Sequence, residues 1–406
     1  MRNVMRPSIV LGHVTAAVRV PLRALLTLTL AASLGVPFAA PAGASLAAQV
    51  AAQPAPAPLR TLPARLSDSS FWKLVTDISE PGGYFRITDN FTSNEMEVGE
   101  LSTMLRTTGV NGDVYMGVGP EQNLSYIAAI RPRMAFIVDI RRQAVMQHLM
   151  FKAMFELARD RADFLALLFA RPRPAGLDSS TGIQKIWDAF WPVRLDTALG
   201  RKTLTRIEDH LAIKHGFTFT SDELGQLRSV IEAFQFFGPA ISTRGSPGGR
   251  GGGNAGGFAD MTGYSTDASG QPQSFLSTED NFRYVKNLHE RNLIVAVSGD
   301  FGGPKAIRAI GAWLKDQGAE LSAFYVSNVE QYLFQDGKAQ AFYDNVATLP
   351  VNARSVFIRP YSMRRFGRGG YDSGGPIRSL CAIDAFLKSA SAGRVRSNDD
   401  ALACQP

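Results

Sequence analysis

Runs of four to seven apolar residues alternate with longer stretches of helical spacing over much of this chain, and the alternation sets the fold reading. Val114–Gly117, Met134–Ile140, Leu293–Val297, Ser322–Val326 and Ser355–Ile358 each read as a strand. The run at 134–140 is almost continuously apolar, as a strand covered on both faces must be. Between and around them lie helical patterns. One spans Ser67 to Ser79, with Phe71, Trp72, Leu74 and Val75 on its apolar side. Others cover Glu95–Arg106, Leu124–Ile130, Gln143–Ala170 with a polar break at Arg159–Asp163, a helix opened by Pro304 and stopped by Gly318, and Ala339–Ala347. Strands that alternate with helices predict an α/β fold built on a doubly wound, mostly parallel sheet.

The rhythm stops between residues 171 and 285. That segment reads as a largely helical insertion containing the glycine-rich loop 245–257, packed over the sheet and covering its site. The loop lacks the lysine and hydroxyl ending of a phosphate loop and follows no strand, so it reads as a linker. The expected organisation is a leader at 1–48, a proline–alanine linker at 49–65, a first sheet portion at 66–170, the insertion at 171–285, and a second sheet portion with a tail at 286–406.

Charge changes the picture mainly at the N-terminus. The whole chain carries a formal +7, but residues 1–65 hold six arginines and no acid, leaving 37 basic against 36 acidic residues beyond them. The body therefore has no basic excess, which argues against nucleic acid as a partner. The leader itself has a basic region ending at Arg23, an uncharged stretch from Leu25 to Ala40, and small residues around Ala42–Ala44 and Leu46–Ala48. Those are the parts of a cleaved export signal, so a periplasmic or secreted protein with no membrane contact after cleavage is expected. The chain has two cysteines, Cys381 and Cys404; in an oxidising compartment they are candidates for one disulfide.

The strands direct the search for a site. Open α/β sheets bind ligands outside the carboxyl ends of their strands. In chain order those ends carry Gly117, Gly119, Glu121, Gln122 and Asn123; then Asp139, Arg141 and Arg142; then Asp300; then Asn328 and Glu330; and finally Arg359 and Tyr361. If the strands are parallel, these groups meet at one edge and hold a small polar molecule. Each also has a structural use available. Thr92 with Glu95, and Ser327 with Glu330, have the spacing of a capping box. Glu121 suits a helix start, where it would also repel a pyrophosphate.

Residues Gly112–Arg142, GDVYMGVGPEQNLSYIAAIRPRMAFIVDIRR, resemble the first motif region of class I S-adenosylmethionine-dependent methyltransferases. The resemblance implies a Rossmann-like, methyltransferase-like fold. It places Gly117 and Gly119 where the backbone passes close to the ligand, and Asp139 where ribose hydroxyls are held. Tyr115 and Glu121 stand where that motif has an acid and its third glycine. GVGPEQNLSYIAAIRPRMAFIVDIRR and YVSNVEQYLF look closer still to an uncharacterised bacterial family with a methyltransferase-like fold, which implies no activity. S-adenosylmethionine is the one cofactor the resemblance suggests, and a cytoplasmic donor conflicts with export. Methyl transfer behind a wrongly assigned start, and a non-catalytic envelope protein, are the alternatives to ligand binding.

Other chemistry has little footing. There is no Gly-x-Ser-x-Gly elbow. His210 and His215 are five apart, not the three or four that aligns two ligands on an α-helix, and no metal is assigned. A cation held by Glu121, Asp139, Asp300 and Glu330, as in metal-assisted hydrolysis, is the weakest reading. The sequence names no reaction.

Overall fold

The structure is a computed structural model and describes residues 61–87, 90–110, 113–242, 256–359 and 379–404. The leader, most of the linker, loop residues 245–255 and Tyr361 lie outside the described residues. Leu62, inside the expected linker, is buried, and Arg133 donates to its carbonyl at 3.0 Å.

The first half of the sheet is built from α1 (Asp68–Ile78), α2 (Val98–Thr107), β1 (Val114–Gly117), α3 (Gln122–Ile130), β2 (Met134–Asp139), α4 (Arg142–Leu157) and α5 (Arg161–Phe169). The Ser67 hydroxyl caps α1 by accepting from the Ser70 amide at 3.1 Å. The long helical pattern over 143–170 carries a polar break at Arg159–Asp163, and the chain divides there. Asp160, within that break, caps a new helix by accepting from the Asp163 amide at 2.8 Å, which separates α4 from α5.

The described part of 171–285 folds as α6 (Ile183–Phe190), α7 (Thr197–Asp209), a π-helical turn (His210–Lys214), α8 (Ser221–Phe237), a second π turn (Asp260–Tyr264) and most of α9 (Glu279–Glu290). This segment packs chiefly along α4 and α5. The π turn at His210–Lys214 overturns one sequence argument. Its wider winding lets the His215 amide donate to the His210 carbonyl at 3.2 Å and sets the two rings 5.0 Å apart, so a five-residue spacing does align them.

The second half runs β3 (Ile294–Ser298), α10 (Ala306–Asp316), β4 (Leu321–Tyr325), α11 (Val329–Gln335), α12 (Ala339–Val346), β5 (Val351–Ile358), β6 (Leu380–Ala382), α13 (Ile383–Ser391) and α14 (Asn398–Ala403). The six strands lie in the order β3-β2-β1-β4-β5-β6; the first five are parallel and β6 is antiparallel to β5. The order reverses between β1 and β4, opening a crevice at their carboxyl ends. Strands β1 to β4 are buried throughout, and the core is continuous across the sheet. Cys381 of β6 and Cys404 after α14 are disulfide-bonded, with Cα atoms 5.9 Å apart, which ties the chain's end to the sheet edge. Among the described residues no helix is long and apolar enough to cross a membrane.

Candidate functional site

A cavity of about 400 Å³ opens at the crevice where the strand order reverses. The turns after β1, β2, β3 and β4 line it through Gly119, Asp139, Arg141, Asp300, Ser327 and Asn328. Parallel strands deliver those turns to one edge, as the sequence reading required. The remaining wall was not foreseen. It comes from α11 and from the segment before α2, where Phe85 meets the Tyr332 ring edge-on at 5.0 Å and the Arg86 guanidinium lies 4.5 Å above the same ring. No residue of 171–285 lines the cavity, so the insertion does not cover this site among the described residues.

Glu95 is the chemically distinctive group in the wall. Expected to cap a helix, it instead sits ahead of α2, which starts at Val98, and is 2 % exposed. Tyr325 Oη and Ser327 Oγ each donate to its carboxylate at 2.6 Å, and Gln122 Nε2 donates at 2.8 Å. Burial raises its pKa to about 7 against the opposing pull of these hydrogen bonds. At neutral pH such a carboxyl can either donate or accept a proton. Ser327 does not form the expected capping box with Glu330: it holds φ at +47°, a left-handed conformation costly for serine, and spends its hydroxyl on Glu95.

Asp139 does not stand open to a ribose. Its oxygens accept from Arg141 Nε at 3.1 Å and Nη2 at 3.0 Å, and Oδ1 also accepts from the Arg141 amide at 2.9 Å. The cavity therefore sees a closed, neutral pair. Asp300 is similarly engaged, accepting from the Gly302 amide at 3.0 Å and from Lys338 Nζ at 2.7 Å. Arg142 faces away from the cavity lining, pairing with Glu223 at 2.7 Å.

Five proposed ligand residues are absent from the cavity lining. Gly117 packs behind it: a Cβ there would stand 1.9 Å from Asn123 Oδ1 and 2.7 Å from Tyr115 Oη, so its glycine serves packing and not ligand approach. Asn123 clasps the turn, donating from Nδ2 to the carbonyls of Val118 and Pro120 at 2.9 and 2.8 Å while accepting from Tyr115 Oη at 2.9 Å. Gln122 orients Glu95 and also donates to Tyr126 Oη at 2.6 Å. Glu121 accepts from the Ser93 amide at 3.1 and 3.2 Å, and burial raises its pKa to about 8. Largely protonated near pH 7, it does not supply the full repulsive charge expected of it. Glu330 forms a two-point pair with buried Arg359, at 2.6 and 2.8 Å, and accepts from Tyr343 Oη at 2.9 Å. Gly119 remains in the lining, with φ at +77° and open space where a Cβ would stand.

Residues 90–176 and 261–375 match a family model described as a domain of unknown function (DUF7790). The DUF7790 match takes in Glu95, the β1–β2 region and the turns after β3 and β4, so it spans most of the cavity wall. It omits Tyr84–Ile87 and the segment from Leu177 to Asp260. The matched model is not that of a methyltransferase family. The chain matches no curated protein.

Proposed function

We propose that the mature protein is exported and binds a small, polar ligand without net charge in the cavity between the carboxyl ends of β1 and β4. The observation that carries this reading is the meeting of Glu95, Tyr325, Ser327 and the Asp139–Arg141 pair at one cavity of about 400 Å³. Cavities of this size suit small metabolites, and a few placed polar groups among apolar ones give orientation. The wall mixes both signs, with Arg86, Arg141 and Lys338 beside Asp139, Asp300 and Asp336, which favours a neutral or zwitterionic molecule over a strong anion. The strand order supports a Rossmann-like fold, since its reversal places the cavity where such folds bind ligands. The leader pattern and the single disulfide support export.

Methyl transfer from S-adenosylmethionine is the second reading, favoured by the strand order and by the open Gly119 turn. The closed Asp139–Arg141 pair opposes it, because the acid that resemblance assigns to ribose already has its partners. Thermal-shift measurements with nucleosides, sugars, amino acids and S-adenosylhomocysteine separate the two. A neutral or zwitterionic hit whose shift is lost in Glu95→Gln supports the first reading, and S-adenosylhomocysteine as the sole hit supports the second. No shift from any compound, or shifts indifferent to Glu95→Gln and Ser327→Ala, overturns ligand binding at this cavity.

A further inference from the structure

A second cluster lies at the other edge of the sheet. Glu156 stands near the end of α4, ~20 Å along that helix from Arg141 at 1.5 Å per residue. Its Oε2 lies 2.6 Å from His210 Nε2 and 2.6 Å from His215 Nε2, the two histidines that the π turn brings together. The side chains of all three residues are nearly buried, at 4, 8 and 7 % exposure. One donor atom from each falls within 4.8 Å of the others.

The groups around this triad define its polarity. Asp68 Oδ1, from the start of α1, lies 2.7 Å from His215 Nδ1. Lys152 Nζ donates to the other Glu156 oxygen, Oε1, at 2.6 Å and also to the His289 carbonyl at 2.7 Å. Lys214 Nζ stands 3.9 Å from Oε2 and is largely exposed. A neutral imidazole carries one ring proton. In the neutral tautomer of His215 that places this proton on Nδ1, facing the Asp68 carboxylate, the Nε2 lone pair turns toward the Glu156 oxygen. A lone pair and an anionic oxygen at 2.6 Å need a positive species between them, a proton or a metal ion. His210 brings a second ring nitrogen to the same point.

From this arrangement we propose that Glu156, His210 and His215 form a binding site for a divalent cation of the zinc class. Two imidazole nitrogens and one carboxylate oxygen suit that ion, and three protein ligands leave a fourth position for water. Asp68 holds His215 as the outer carboxylate of a carboxylate–histidine–metal arrangement, and Lys152 keeps Glu156 to one coordinating oxygen. Tetrahedral coordination at ~2.0–2.1 Å separates ligand atoms by ~3.3 Å, so each of the two oxygen–nitrogen separations of 2.6 Å has to open by less than an ångström. The bound ion ties α4 to the π turn, and through Asp68 to α1.

Calorimetry with Zn²⁺ and absorption spectroscopy with Co²⁺ on the chelator-treated full chain test the site. The expected result is one equivalent of Zn²⁺ per chain and the visible bands of tetrahedral Co²⁺. His210→Ala and His215→Ala each abolish both, and Asp68→Asn weakens affinity about 10–100-fold. In the wild-type chain labelled with ¹⁵N-histidine, Zn²⁺ moves two imidazole Nε2 resonances, a readout independent of whether any variant folds. Absence of Zn²⁺ and Co²⁺ binding by the wild-type chain, or no movement of histidine resonances on Zn²⁺ addition, overturns the proposal and leaves a cluster held by protons alone. Binding that persists in folded His210→Ala and His215→Ala chains overturns it equally.

Discussion

Arg141 is locked onto Asp139, two residues earlier in the chain, by two parallel side-chain hydrogen bonds of 3.1 and 3.0 Å, with both side chains less than a tenth exposed. A buried pair of this kind is costly to break from one side, because the surviving charge keeps its desolvation penalty without its partner. Asp139→Ala is therefore expected to destabilise the fold by about 3–5 kcal/mol. Denaturant unfolding of the variant checks this. A loss well under 1 kcal/mol would mean that the pair is loosely solvated.

Glu95 and Glu121 make stability depend on pH in an unusual direction. Burial raises their pKa to about 7 and about 8, from 4.5 for an ordinary glutamate. Between pH 4.5 and 8 these two groups release their protons in the unfolded chain while the folded chain still holds them, so their contribution to stability falls as pH rises. The decline from Glu95 is complete near pH 7 and from Glu121 near pH 8. For Glu95 alone the span corresponds to ~3 kcal/mol. Buried His148 and His289, whose pKa burial lowers, act in the opposite direction below about pH 6.5. The drop in melting temperature is therefore expected from pH 6.5 to 8.5, and Glu95→Gln is expected to remove the Glu95 share of the slope, read as wild type minus variant from pH 4.5 to 8.5. A melting temperature that rises through the window in the wild type and is unchanged in slope by Glu95→Gln would contradict the assignment.

Gly117 and Asn123 are coupled through space. Gly117→Ala places a methyl group against Asn123 Oδ1 and is expected to cost about 1–3 kcal/mol. Truncating Asn123 removes the nearer of the two obstructions and leaves Tyr115 Oη, so Gly117→Ala with Asn123→Ala is expected to cost less than the two single losses added together. A double-mutant cycle by denaturant unfolding measures the difference, and strict additivity would show that the two do not touch.

The five parallel strands are the part of this fold most legible in the sequence, because burial on both faces leaves a continuous apolar run such as Met134–Asp139. The polar first half of β5, Val351–Arg354, is largely exposed and carries no such signal, and β6 is three residues long. The carboxyl edge followed from the strands, which brought Gly119, Asp139, Arg141, Asp300 and Asn328 to the cavity. Glu95 and Ser327 escaped for one reason. Both fit local capping patterns, while their true partnership spans the sheet and arises only when the chain before α2 folds over the end of β4. Gln122, Asn123 and Glu330 erred in the opposite sense: polar residues at strand ends read as ligand groups, yet each is consumed by a buried partner. The spacing argument about His210 and His215 fails because a sequence shows no difference between an α turn and a π turn.

Ligand binding beside Glu95 is tested by a crystallographic map of the protein soaked with a compound that raises its melting temperature. Density between Glu95 and the Gly119 turn, with a polar ligand atom ~2.6–3.2 Å from the Glu95 carboxyl, is the result this account predicts. The same compound bound elsewhere on the protein, with the space between β1 and β4 left empty, would contradict it.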